Sequence, residues 1–123
     1  MAKIAIDAGH GGADPGAVYQ GRQEKDDNLK LALAVGERLQ NNGLDVYYTR
    51  TEDIYQTPYQ KAMAANESEA DFLVSLHRNS SEYPNQYTGV ETLIYDKNGE
   101  KAEIAEDINE ELENIGFRNN GVK

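Results

Sequence analysis

Lys3-Ile4-Ala5-Ile6-Asp7-Ala8-Gly9-His10-Gly11-Gly12-Ala13-Asp14-Pro15-Gly16 is the stretch whose reading decides the fold. Its first six residues read as a short buried strand, and the glycine-rich run from Gly9 to Gly16 ends that strand in a turn. A buried strand this close to the N-terminus needs partners and covering helices, and the rest of the chain offers both.

From Glu24 to Asn42 the apolar residues Leu29, Ala32, Leu33, Val35 and Leu39 recur at helical spacing, and Gly43 supplies a C-cap. Asp45 to Thr49, rich in β-branched and aromatic residues, is the second strand. Thr57-Pro58 reads as an N-cap and first turn of a helix that runs to about Glu67. Phe72 to Leu76 is the third strand and delivers His77 at its end. A polar loop from Arg78 to Thr88 precedes a strand from Val90 to Tyr95 and a turn at Lys97-Asn98-Gly99. Glu100 to Ile115 is an amphipathic helix with Ile104, Ile108, Leu112 and Ile115 on one face. The order β-α-β-α-β-β-α predicts an α/β fold, a mostly parallel sheet with helices on both faces and right-handed crossovers.

The 123 residues suit one domain, 1–123, with no internal repeat or linker. No apolar run approaches the roughly 20 residues that span a bilayer, which argues against membrane insertion. Met1-Ala2-Lys3 runs straight into the first strand without the pattern of a secretory signal. The expectation is therefore a chain made for the cytosol, or a domain excised from an exported protein. There is no cysteine, which excludes disulfide scaffolds and thiolate metal sites. A net charge of −10 repels phosphate backbones and argues against nucleic-acid binding.

The chain has two histidines, His10 and His77, and both fall just past the C-terminal ends of predicted strands. In open parallel sheets that edge is where ligands bind. Either histidine alone could be a hydrogen-bonded structural residue; their joint placement points to a site. Hydrolytic zinc sites take three protein ligands, and two histidines with a carboxylate are one standard set. Glu24, which opens the first long helix, is the leading carboxylate. It reads equally as a first-turn acid favoured by the helix dipole, and spacing alone does not separate the two. The glycine run also invites a phosphate-loop reading, but it lacks the Lys-Ser/Thr of a Walker loop. Asp14 stands where the third glycine of a dinucleotide fingerprint belongs. Room for a metal and a bulky substrate beside the backbone suits these glycines better.

Ile6-Asp7-Ala8-Gly9-His10-Gly11-Gly12 with Asp14-Pro15-Gly16-Ala17 closely resembles the opening of the zinc-dependent N-acetylmuramoyl-L-alanine amidases of the amidase-3 type. The likeness continues through Glu24-Lys25, Asn28-Leu29, Val46, Thr49-Arg50, Asp53, Ala65-Asn66, Ala70-Asp71, Ser75-Leu76-His77-Arg78-Asn79 and Gly89-Val90-Glu91-Thr92. These blocks follow the family order and cover nearly the whole chain. The resemblance implies a zinc ion on His10, Glu24 and His77. Asn79, two residues beyond His77, reads as a substrate contact or a support for the ligands, and equally as a loop residue bonding to its own backbone. It also implies hydrolysis of the amide between N-acetylmuramic acid and L-alanine in peptidoglycan, as in a phage endolysin or bacterial autolysin acting on the cell wall.

The resemblance departs in three places. Lys61 and Asn120 stand where the family often has arginine. The family's general-base glutamate lies in a later Glu-x-Gly-Phe strand, whereas Gly121-Val122-Lys123 resembles the segment before that strand. The expectation is thus a C-terminally truncated amidase-like domain, lacking the last strands and the base. Its partner would be the missing C-terminal part or a second copy of the chain. Glu113-Asn114-Ile115-Gly116-Phe117 imitates the catalytic segment but has one residue too many and lies at a helix end. A different class of reading follows, a non-catalytic zinc-holding or wall-binding fragment.

Overall fold

The computed structural model describes residues 2–78, 90–92 and 99–123. In chain order the elements are β1 (Lys3–Ala8), β2 (Val18–Tyr19), β3 (Arg22–Gln23), α1 (Glu24–Asn41), β4 (Asp45–Tyr48), α2 (Pro58–Glu67), β5 (Phe72–Leu76), β6 (Val90–Thr92), α3 (Glu100–Asn114) and β7 (Asn119–Val122). They fall into two compact units, residues 1–80 and 81–123.

In the first unit β1 lies between β4 and β5, and both neighbours run parallel to it. Its alternation sends Ile4, Ile6 and Ala8 to one face, where they pack with Leu29, Ala32, Val35 and Leu39 of α1. Gly36 of α1 sits over the Tyr48 ring, where a Cβ would collide, so a glycine lets the helix approach the sheet. On the other face of β1, Asp7 receives Lys61 Nζ of α2 at 2.7 Å. Helices therefore lie on both faces of this parallel sheet. Because the chain steps from β1 out to β4 and back across to β5, strand order reverses at β1. Loops leaving the carboxyl ends on either side of that reversal diverge and open a crevice.

In the second unit β6 and β7 pair in parallel, with Val90 opposite Asn119 and Thr92 opposite Val122, and α3 packs on both. The expected strand to Tyr95 and the turn at Lys97-Asn98 extend beyond the described residues.

Four details depart from the sequence reading. The β2–β3 hairpin was not expected. Its turn residues Gln20 (φ 48°) and Gly21 (φ 80°) both take positive φ, as a two-residue hairpin turn requires. Strand β7 was also not expected, since Asn119-Asn120-Gly121-Val122 has little of a strand's composition. The buried Asn109 of α3 holds it by donating from Nδ2 to Gly121 O at 2.9 Å. The buried face of α3 is Ala102, Ala105 and Asn109, while Ile108 and Ile115 of the expected apolar face are exposed. Small residues let α3 sit close to its strands, so packing distance overrides the larger side chains. Leu33 of α1 is likewise exposed.

The imitation of the catalytic segment is a helix stop. Gly116 (φ 112°) donates its N–H to Glu113 O, and Phe117 donates to Leu112 O. That pair of bonds is the Schellman termination, and it accounts for the glycine and the hydrophobic residue after it.

Candidate metal centre

His10 lies two residues past β1, and the backbone there is firmly held. Gly9 N–H continues the ladder to Leu76 O at 3.0 Å, and Gly11 and Asp14 exchange both backbone bonds at 2.9 and 3.0 Å. The buried Arg50 donates to the carbonyls of Ala8 (3.0 Å) and Gly9 (3.2 Å), and also to Lys25 O (3.0 Å). Lys25 Nζ donates to Gly12 O at 3.0 Å, and Gly12 N–H donates to Asp53 at 2.7 Å. These contacts hold His10 at φ 67°, a left-handed conformation that costs a non-glycine residue on the order of 1–3 kcal/mol.

Glu24 is the first residue of α1 and is buried. No side chain caps this helix; its first N–H groups donate instead to Ala17 O (2.8 Å) and Pro15 O (3.0 Å) of the glycine loop. The loop and the helix start are thereby one structure. Glu24 Oε1 accepts from Ala17 N–H at 3.1 Å. Its Oε2 accepts from the Asn28 amide (3.0 Å) and from Arg78 N–H (2.9 Å). The same Oε2 lies 3.2 Å from His10 Nε2 and 3.2 Å from His77 Nδ1. The two imidazole rings stand nearly perpendicular with centroids 5.0 Å apart.

Two glycines make this convergence possible. A Cβ on Gly9 would lie 2.6 Å from Nδ1 and 2.8 Å from Nε2 of His77. A Cβ on Gly16 would lie 2.5 Å from His10 Cδ2 and 2.8 Å from Glu24 Oε1, at a φ of 68° that itself disfavours a side chain.

Burial pushes the Glu24 carboxyl up, but the N–H groups of Arg78 and Ala17, the Asn28 amide and His10 outweigh it and hold it below the usual range. The His10 hydrogen bond, followed by Gly16 N–H, holds Asp14 low as well. Both carboxylates are therefore ionised at neutral pH and present negative charge to the imidazoles. The ligand atoms of His10, Glu24 and His77 all lie within 4.8 Å of one another. For metal–ligand bonds near 2.0–2.1 Å a tetrahedral site has an edge of about 3.3 Å, close to both 3.2 Å separations. The donor set and its spacing fit a divalent cation.

The structure thus brings together the three residues that the sequence singled out for a metal. Asn79 lies outside the described residues. Asp14 and Asn28 were not assigned roles from the sequence. Asn28 had a legible signal, being a polar residue one turn after Glu24 on a helix. Asp14 signalled only through the rule that a ligating imidazole needs an acceptor at its other nitrogen.

Fold and site together define an α/β unit with a His–Glu–His cluster, able to hold a metal ion, at the carboxyl edge of a parallel sheet. The family profile described as N-acetylmuramoyl-L-alanine amidase matches residues 4–123, and the chain belongs to that family. It is 44% identical over 97 residues to the sporulation-specific N-acetylmuramoyl-L-alanine amidase of Bacillus subtilis (strain 168), covering 77% of this chain and 36% of that protein. It is 39% identical over 127 residues to the amidase CwlM of Bacillus licheniformis, covering 100% of this chain and 49% of that one. The crystal structure of N-acetylmuramoyl-L-alanine amidase from Clostridium difficile 630 superposes with a TM-score of 0.90 at 33% identity, covering 98% of this chain and 68% of that chain. The chain spans less than half the length of either curated relative. No helix among the described residues is long and apolar enough to cross a membrane.

Proposed function

We propose that the chain forms the zinc-holding part of an N-acetylmuramoyl-L-alanine amidase, which hydrolyses the amide between N-acetylmuramic acid and L-alanine in peptidoglycan. The observation that carries this reading is the convergence of His10, Glu24 and His77 on one point, within a chain that matches the amidase family over residues 4–123. A bound zinc ion would supply charge stabilisation at the amide carbonyl and lower the pKa of an attacking water.

The chain's own residues set the rest. Glu24 and the two histidines would hold the ion, and the glycine loop keeps side chains away from it on one side. Asn79, next to Arg78, is assigned to substrate contact. Both carboxylates bonded to the histidines are already committed, Glu24 as a ligand and Asp14 to His10 and Gly16 N–H. The reading therefore assigns proton transfer to the departing amine to a group other than these two. The reaction places the protein at the cell wall, with peptidoglycan as its partner.

The test is digestion of purified peptidoglycan, following new L-alanine amino termini with and without a chelator. Release that the chelator stops and added zinc restores is the expected result. Full zinc occupancy without any release would instead favour a non-catalytic zinc-holding module.

A further inference from the structure

Asp14 touches the cluster without being one of its three members. One carboxylate oxygen, Oδ2, accepts from His10 Nδ1 at 2.8 Å, and the other, Oδ1, accepts from Gly16 N–H at 3.1 Å. Its backbone is fixed by the reciprocal pair with Gly11. Both oxygens are thus assigned to donors within one loop closed by backbone hydrogen bonds. Across the ring, His10 Nε2 points to the Glu24 oxygen at 3.2 Å.

A neutral imidazole carries one proton, and only the bare nitrogen can bind a metal. We infer that Asp14 is a positioning residue that fixes the proton of His10 on Nδ1 and so presents Nε2 as a ready metal ligand. The inference rests on the zinc reading of the cluster. It adds that one ligand is set in tautomer and direction before the ion arrives. His77 differs, because its Nδ1 is the atom at the cluster and no described side chain is seen holding its Nε2.

Asparagine at position 14 separates this role from simple packing. Its shape is nearly that of aspartate, but it has one acceptor oxygen and one NH2 donor. If the oxygen keeps His10, the NH2 opposes Gly16 N–H. If the oxygen keeps Gly16 N–H, the NH2 faces His10 Nδ1 and drives the proton to Nε2, the wrong atom for a ligand. Loss of such an outer-shell partner typically costs 10–100-fold in metal affinity.

Two measurements on the protein test this. In the metal-free form at about pH 8, 15N-resolved NMR of the imidazoles reads the tautomers. The expected result is Nδ1–H for His10 in the native protein and a shift towards Nε2–H in Asp14→Asn, with His77 unchanged. Competition with a chromophoric chelator should show zinc affinity lower by about 10–100-fold in Asp14→Asn, and also in Asp14→Ala. A native His10 found as Nε2–H overturns the inference without any variant having to fold. Folded Asp14→Asn with native affinity and native tautomer overturns it too. If the native protein binds no zinc, the metal reading fails, and the tautomer measurement still decides what Asp14 does.

Discussion

His10 and His77 approach the same oxygen of Glu24 at the same 3.2 Å, yet their supports differ in kind. His10 sits in a loop closed on itself by backbone pairs, pinned by Arg50 and Lys25, and held at its far nitrogen by Asp14. His77 follows directly from β5 and is about half exposed; its segment is tied to the cluster through Arg78 N–H on Glu24. One arm is held mainly by its own loop, and the other mainly by the end of its strand and by Glu24. The His10 arm is fixed by its own loop, whereas the His77 arm is the more open of the two to solvent.

The largest effect should come from the group both arms share. Glu24→Gln keeps the shape but replaces a charged oxygen with an amide. Spread over three ligands, the zinc binding energy of a structural site is about 4 kcal/mol per ligand, so affinity should fall on the order of a thousand-fold. Calorimetric titration with zinc checks this, and an affinity within tenfold of native would remove Glu24 from the ligand set.

The two glycines then separate the arms. Gly16→Ala forces a side chain into a φ of 68° and against both His10 and Glu24. It should lower stability by about 1–3 kcal/mol and weaken metal binding together. In Gly9→Ala the three atoms nearest the new Cβ all belong to the ring of the half-exposed His77, which can swing aside. Stability should change by no more than about 0.5 kcal/mol while metal affinity still falls. Chemical denaturation beside metal titration distinguishes the two, and equal stability losses would erase the contrast.

Hydrogen exchange should sharpen it further. Stripping the metal should speed exchange at the Arg78 amide on the order of tenfold more than at Gly9 or Gly11, whose partners lie within the protein backbone. Uniform loss of protection across both arms would mean that the His10 loop also depends on the ion.

The same difference decided what could be read from the sequence. Strand β1 was legible because its apolar run ends in the glycines from Gly9, β5 because its apolar run ends at His77, and α1 because Leu29, Ala32, Val35 and Leu39 recur at helical spacing. The three converging residues were legible because strand ends and a helix start meet at the carboxyl edge of a parallel sheet. Asp14 was not, because its part depends on a loop that folds back four residues onto His10, which no periodicity encodes. Strand β7 was hidden for a related reason: its order comes from Asn109 and the β6 ladder rather than from its own side chains. The turn at Gln20-Gly21 lacks the Asn-Gly pair that usually announces such a hairpin.

The smallest effect concerns what the arms have in common beneath the site. Asp7, in β1, accepts from Lys61 Nζ (2.7 Å), Thr49 Oγ1 (2.8 Å) and Ser75 Oγ (2.6 Å), so one carboxylate ties the strand before His10 to the strand before His77. Lys61 also donates to Ala8 O at 2.9 Å and so fixes the end of β1. Burial pushes Asp7 up, but bonds from Lys61, Ser75 and Thr49 outweigh it and hold it below the usual aspartate range. A carboxylate depressed in the folded state contributes stability above its unfolded pKa and loses it as pH falls through the folded value. Asp7→Asn should therefore cost about 2 kcal/mol near neutral pH, with Lys61 left short of a charged partner. That gap should narrow as pH falls from the ordinary aspartate range, where the unfolded chain takes up the proton, through the lower folded value, where the native carboxylate protonates too. Urea melts of both proteins at several pH values read the difference directly. Because the network anchors both strands, zinc affinity should fall little and without favouring either arm; a gap that stayed constant with pH would mean that Asp7 acts by packing and not by charge.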